Sequence, residues 1–134
     1  MGTPARSDGL ALLAIALLHL AAQVAHGYSH VAAGVPLTVF QQLFVVVIVT
    51  VAPLAAVYAY WKLDARRGAG LFAVSMGAAF LFGYLLHFVI DSPDLHANVA
   101  GEHSAAFLHS ALALALLEFV GFFFGAYLVV RGAR

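Results

Sequence analysis

FQQLFVVVIVTVAPLAAVYAYW, residues Phe40 to Trp61, contains no Asp, Glu, Lys or Arg, and from Phe44 to Val49 it has no polar side chain at all. A bilayer core of about 30 Å is crossed by roughly 20 apolar residues rising 1.5 Å each. Three further stretches of the same character flank this one: Leu10 to His30, Gly70 to Ile90 and Ala105 to Val130. Membrane β-strands would instead alternate apolar and polar positions over about ten residues, so helices are the expected spans. The connections are short. The chain therefore reads as a single domain over residues 1–134, an all-α four-transmembrane antiparallel helix bundle (helices about 10–30, 40–61, 70–90 and 105–130) with sequence neighbours adjacent in space. Arg6 before the first apolar run resembles a signal-peptide start, but no small-x-small cleavage site follows, and the segment reads as helix one.

Composition agrees, since 64% hydrophobic and 9% charged residues leave too little polar surface for a water-soluble monomer. All six cations, Arg6, Lys62, Arg66, Arg67, Arg131 and Arg134, fall at one side of a four-span bundle. The positive-inside rule makes that side cytoplasmic, so the expectation is a multi-pass protein of the cell membrane with both termini in the cytoplasm. Asp91, Asp94 and Glu102 lie on the opposite side, which has no Lys or Arg. A net charge of zero thus hides a strong asymmetry. The expected partners are the lipid bilayer and a homo-oligomer or larger membrane complex; six cations spread over three short segments form no basic face for nucleic acid. Tyr58, Tyr60 and Trp61 read as an interfacial aromatic belt beside the basic loop.

With no cysteine there is no disulfide and no thiolate site, and two methionines cannot build a thioether ladder. No phosphate-binding loop or nucleophile elbow is present either, which favours a site-bearing subunit over a self-sufficient enzyme. Any ligand chemistry must use imidazole and carboxylate.

Seven histidines are a heavy load for so apolar a chain. At 100° per residue His19 to His26 falls about 20° short of two turns, and His26 to His30 overshoots one turn by about 40°. These three share one face with Gln23, a polar seam running from mid-membrane outward that must face protein or water. Tyr84, His87 and Asp91 likewise share a face of helix three, and His87 lies about as far below Asp91 as His26 lies below His30. Asp91 is expected to end that helix, where the macrodipole disfavours an anion and a nearby cation would explain it. The next connection adds Asp94, His96 and His103 over the bundle mouth.

His26, His30, His87, Asp91, Asp94, His96 and His103 are therefore the candidate metal ligands, for zinc, copper, iron or a b-type haem held between His26 and His87. The competing explanation is a set of interfacial polar caps satisfied by water and headgroups. His109 ranks lower, being half a turn out of phase with Glu118. His19 and Glu118 sit near the midpoints of their helices, as a proton relay or an intramembrane polar pair, with Thr50 as a further partner.

Gly121-x-x-x-Gly125 shares a face with Glu118 and allows close helix approach, including to a second copy. Thr38-x-x-Gln41 matches a capping box, the preferred use of Gln41, and Phe107 reads as a packing or lipid-facing group. Three function classes follow. One is a redox or metal-handling subunit with a histidine and carboxylate site near the extracytoplasmic face. The second is an ion or proton transporter or accessory using the midplane pair. The third is a structural subunit of a larger complex.

Overall fold

The computed structural model describes residues 6–132. It has four helices long and apolar enough to cross a membrane: α1 (Arg6–Ala32), α2 (Val39–Lys62), α3 (Ala65–Phe88) and α4 (Ser104–Arg131). A 3-10 turn, His96–Asn98, interrupts the connection from α3 to α4. α4 packs on α3 and α1, and α2 packs on α3 and, less extensively, on α1.

The helix ends follow local chemistry. Thr38 and Gln41 form the capping box that starts α2, the Thr38 hydroxyl accepting from Gln41 N at 3.2 Å and Gln41 Oε1 from Thr38 N at 2.7 Å. Asp64 starts α3, accepting from Arg67 N at 2.7 Å, so this helix begins at Ala65 and not at 70. At its other end Val89 and Ile90 both donate to Leu85 O, and Pro93 disfavours helix at the residue before it. Asp91 therefore lies outside α3, exposed, which corrects the expectation that it closes the helix.

Inside α2 the turns of Val45–Val51 are π-helical. Pro53 has no N–H for the ladder and its ring crowds the preceding turn, and a widened turn just before it accommodates both. Thr50 donates to Val45 O across that widened turn at 2.9 Å.

The cation-bearing end of the bundle is dry. Leu12, Ala16, Ala56, Val57, Tyr60, Ala69, Phe72, Met76 and Leu128 form its core. Tyr60 belongs to this core and not to the interfacial belt. Gly125 brings α4 onto α3: a Cβ there would lie 2.9 Å from both Ala69 O and Ala73 N. At Gly121 a Cβ would meet Met76 Cε at 2.6 Å. The Gly121–Gly125 face thus packs on α3 within the chain. Arg131 pairs with Asp8, tying the end of α4 to the start of α1. Outward faces carry exposed Leu17, Leu18, Val24, Leu43, Val47 and Leu116, as a surface solvated by lipid requires.

Candidate metal centre

The polar seam of α1 meets a different partner at each level. His19 Nε2 lies 3.2 Å from Glu118 Oε1 of α4, both side chains buried. One turn outward Gln23 Nε2 donates to Thr50 Oγ1 of α2 at 2.7 Å, so Thr50 serves Gln23 and not the midplane pair. Next come His26 and His30, whose rings converge with His87 of α3.

His26 Nε2 is 3.1 Å from His87 Nε2 and 3.2 Å from His30 Nε2. Each ring is fixed from behind by its other nitrogen. His87 Nδ1 donates to Asp94 O at 2.9 Å and His30 Nδ1 to Val35 O at 3.3 Å. A carbonyl only accepts, so both rings carry hydrogen on Nδ1 and offer Nε2 as a lone pair. His26 Nδ1 lies 2.9 Å from the Ser110 hydroxyl, which can accept or donate. The Ser110 oxygen is also 2.7 Å from Ala106 O, to which it donates; with its hydrogen placed there, it accepts from His26, and the third Nε2 lone pair joins the other two.

Local structure explains how the sequence builds this. Gly34 adopts φ +67, the left-handed residue that ends α1, while Gly34 N donates to Val31 O and Val35 N to His30 O. That is a Schellman turn, and it delivers the Val35 carbonyl to the His30 ring. The connection after α3 folds back in the same manner: His96 Nδ1 donates to His87 O at 2.8 Å while Asp94 O receives the His87 ring. Phe107 is fully buried with its ring centroid 5.2, 4.8 and 5.3 Å from those of His26, His30 and His87. Val35 and Val99 pack on it and close the apolar wall.

The three imidazoles form a cluster that could hold a metal, their donor nitrogens all within 4.8 Å of one another. Zinc–imidazole bonds of 2.0–2.1 Å at tetrahedral angles place ligand nitrogens about 3.3 Å apart, close to the two shortest separations here. Three converging lone pairs repel one another unless a cation or a proton lies between them. A haem does not fit: a bis-imidazole iron needs its two rings on opposite faces of a flat macrocycle, whereas His26 and His87 nearly touch and the Phe107 ring packs against both.

The remaining sequence candidates are not in the cluster. Asp91 is exposed and accepts from Asn98 Nδ2 at 2.9 Å. His103 is half-exposed beside Glu102, at 3.4 Å. His109 is exposed. His96 uses its Nδ1 on the end of α3, and so positions His87 from behind. Asp94 is buried in the adjoining wall, its Oδ2 accepting from Gln41 Nε2 at 2.6 Å. Gln41 therefore serves its capping box and the site at once. Asp94 Oδ1 is the one buried side-chain polar atom without a hydrogen-bond partner among the described residues. Ser110 and Phe107, which the sequence does not single out as site residues, prove to be its tautomer partner and its wall.

A partly open cavity of about 90 Å³ lies under the cluster, bordered by His26, His30, His87 and Asp94 at one end and by Gln23 and Glu118 at the other. A surface groove of about 430 Å³ reaches His30, Gly27 and Leu37, which also line that cavity. Compared with known protein families, with curated proteins and with solved structures, the chain matches none.

Proposed function

We propose that this chain is a metal-handling membrane protein whose buried centre binds a divalent transition metal, zinc or copper(II), through Nε2 of His26, His30 and His87. The observation that carries the reading is the tautomer lock: two rings are held by carbonyls and the third by a serine oxygen, all presenting Nε2 to one point. Neutral imidazole suits zinc and copper among the common ions, and no thiolate competes in a chain without cysteine. Three protein ligands leave a fourth position for water or a passing ligand. Asp94 Oδ1, buried and unpartnered, is the acceptor such a metal-bound water would need.

The centre lies at the end of the bundle away from Arg6, Lys62, Arg66, Arg67 and Arg131. By the positive-inside rule it faces the extracytoplasmic side of an antiparallel, N-in/C-in bundle. The groove that reaches His30 supports loading from that side. Ion handling is favoured over a purely structural role by Glu118, a midplane carboxylate bordering the same cavity as the metal ligands.

Metal analysis of the detergent-purified chain after zinc loading and desalting tests the proposal. One zinc per chain is expected, and cobalt(II) in its place should give the intense visible bands of a four-coordinate ion. A chain that retains neither ion, or retains them equally after His87→Ala, overturns it.

A further inference from the structure

The midplane pair is the polar feature that a three-histidine metal centre does not itself need. His19 and Glu118 come from α1 and α4, lie 3.2 Å apart and are 1% and 3% exposed. With one shared proton, written as acid and imidazole or as carboxylate and imidazolium, the pair has no net charge. The two forms differ only in where that proton sits along one hydrogen bond.

Gly83 of α3 faces the space between the pair and the centre. A Cβ there would lie 3.9 Å from Glu118 Oε2 and 3.9 Å from His87 Cδ2. The second oxygen of Glu118 thus borders the cavity whose far end is the three-histidine cluster, and about 90 Å³ is room for a few water molecules. The titratable groups around the pair are few. α1 contributes His19, with His26 further along the cavity; α3 contributes only His87, across the space at Gly83; α2 lines the cavity with Val45 and Val49. Among the described residues no Lys or Arg borders it.

Charge then links the two places. A dication on three neutral imidazoles brings +2 into a low-dielectric interior, and an unbalanced buried charge is costly. Asp94, at the mouth of the cavity, supplies one negative charge. The only other acid on the cavity wall is Glu118. We infer that the His19–Glu118 pair is a proton station that exchanges with the metal, giving up its proton when a divalent cation occupies His26, His30 and His87 and taking it back when the cation leaves. The balance closes: the cation adds +2, Asp94 and the deprotonated pair add −1 each, and the proton leaves through cavity water toward the groove at His30.

This inference rests on the metal reading above, and the experiment separates the two. Zinc chloride is titrated into the full chain in weakly buffered detergent solution containing a pH indicator, for wild type and Glu118→Gln, with binding measured in parallel. Gln keeps the shape and can still bond His19, but it cannot give up a proton in exchange. Wild type should release one more proton per bound zinc than Glu118→Gln, and its log affinity should rise with pH by about one more unit per pH unit. Equal release and equal slopes with zinc bound overturn the exchange and leave the metal centre standing. Failure of the wild type to bind zinc overturns both. Should Glu118→Gln not fold, Gly83→Leu, which fills the space between the pair and the centre, must likewise lower the proton count in a variant that still binds zinc; an unchanged count overturns the exchange.

Discussion

Ser110→Ala isolates the tautomer argument. The Ser110 oxygen is 2.9 Å from His26 Nδ1 while its hydrogen is directed to Ala106 O. Removing that acceptor leaves the buried ring N–H only the longer contact to Ser29 Oγ at 3.4 Å, at a cost of up to ~1–3 kcal/mol if nothing moves. His26 has an alternative: with its hydrogen on Nε2 it can donate to His87 Nε2 at 3.1 Å. That tautomer satisfies the ring but withdraws its lone pair from the metal.

Stability should therefore change by no more than ~0.5 kcal/mol, alanine also being the better helix former. Zinc affinity should fall ten- to hundredfold, the usual cost of losing a partner behind a ligand, or ~1.4–2.7 kcal/mol. Competition against a chelating dye gives the affinity, and a thermal melt without zinc gives the stability. Ser29→Ala is the comparison, because Ser29 donates to His26 O and holds the ring only by the longer bond, at 3.4 Å. Its loss should cost less affinity, and the double variant Ser110→Ala/Ser29→Ala should cost most. Unchanged affinity in Ser110→Ala, with His87→Ala still weakened, would refute ligation through His26 Nε2.

His26→Ala, His30→Ala and His87→Ala should each lower retained zinc at least tenfold, while exposed His109→Ala should leave it unchanged, as read by metal analysis after desalting. Gly34→Ala places a side chain at φ +67, a strain of ~1–2 kcal/mol, and by loosening the Val35 carbonyl it should weaken zinc binding together with thermal stability. Gly125→Ala should destabilise by ~1–3 kcal/mol because its Cβ would press on backbone, whereas Gly70→Ala, whose Cβ would meet only Val129 Cγ2 at 3.7 Å, should be neutral or stabilising in the same melt. EDTA should strip the centre faster at acid pH than at neutral pH, since protons compete for Nε2 and metal affinity rises with pH.

The spans were visible in the sequence because hydropathy is local: an uncharged run such as Phe44 to Val49 admits no other element at that length. The nearness of His26 to His87 was also visible, because a fixed rise per residue turns sequence position into depth. The same arithmetic placed His19 level with Glu118. The loops were not visible. That Asp94 and not Asp91 turns inward depends on where α3 stops, which Leu85, Pro93 and the fold-back of His96 decide together. For another reason the sequence carries no sign of the role of Ser110, and shows Phe107 only as a packing or lipid-facing group. Neither residue type advertises ligand chemistry, and each acquires its role only through the faces that α1 and α3 present to α4.

Where the polar seam stops says as much as where it begins. Outward from His19, α1 presents Gln23 and His26, bonded to α2 and α3, and His30, bonded to the turn that ends α1. Toward the cation-bearing end the buried positions are Ala16 and Leu12, packed with Phe72 and Met76, all four at most 1% exposed. Ser75, the buried polar residue of α3 at that level, donates to its own helix at Phe72 O and opens no path. A passage in this conformation would need the seam to continue past His19, and it does not. At the midplane the seam ends in the His19–Glu118 hydrogen bond, and beyond that pair lies the packed apolar core. Under the metal reading proposed above, an ion at the three-histidine centre would exchange by way of the groove at His30, and the proposed proton exchange would be what reaches the midplane. Under the same reading, such an arrangement suits a protein that loads, holds and releases a metal ion at one end of the bundle.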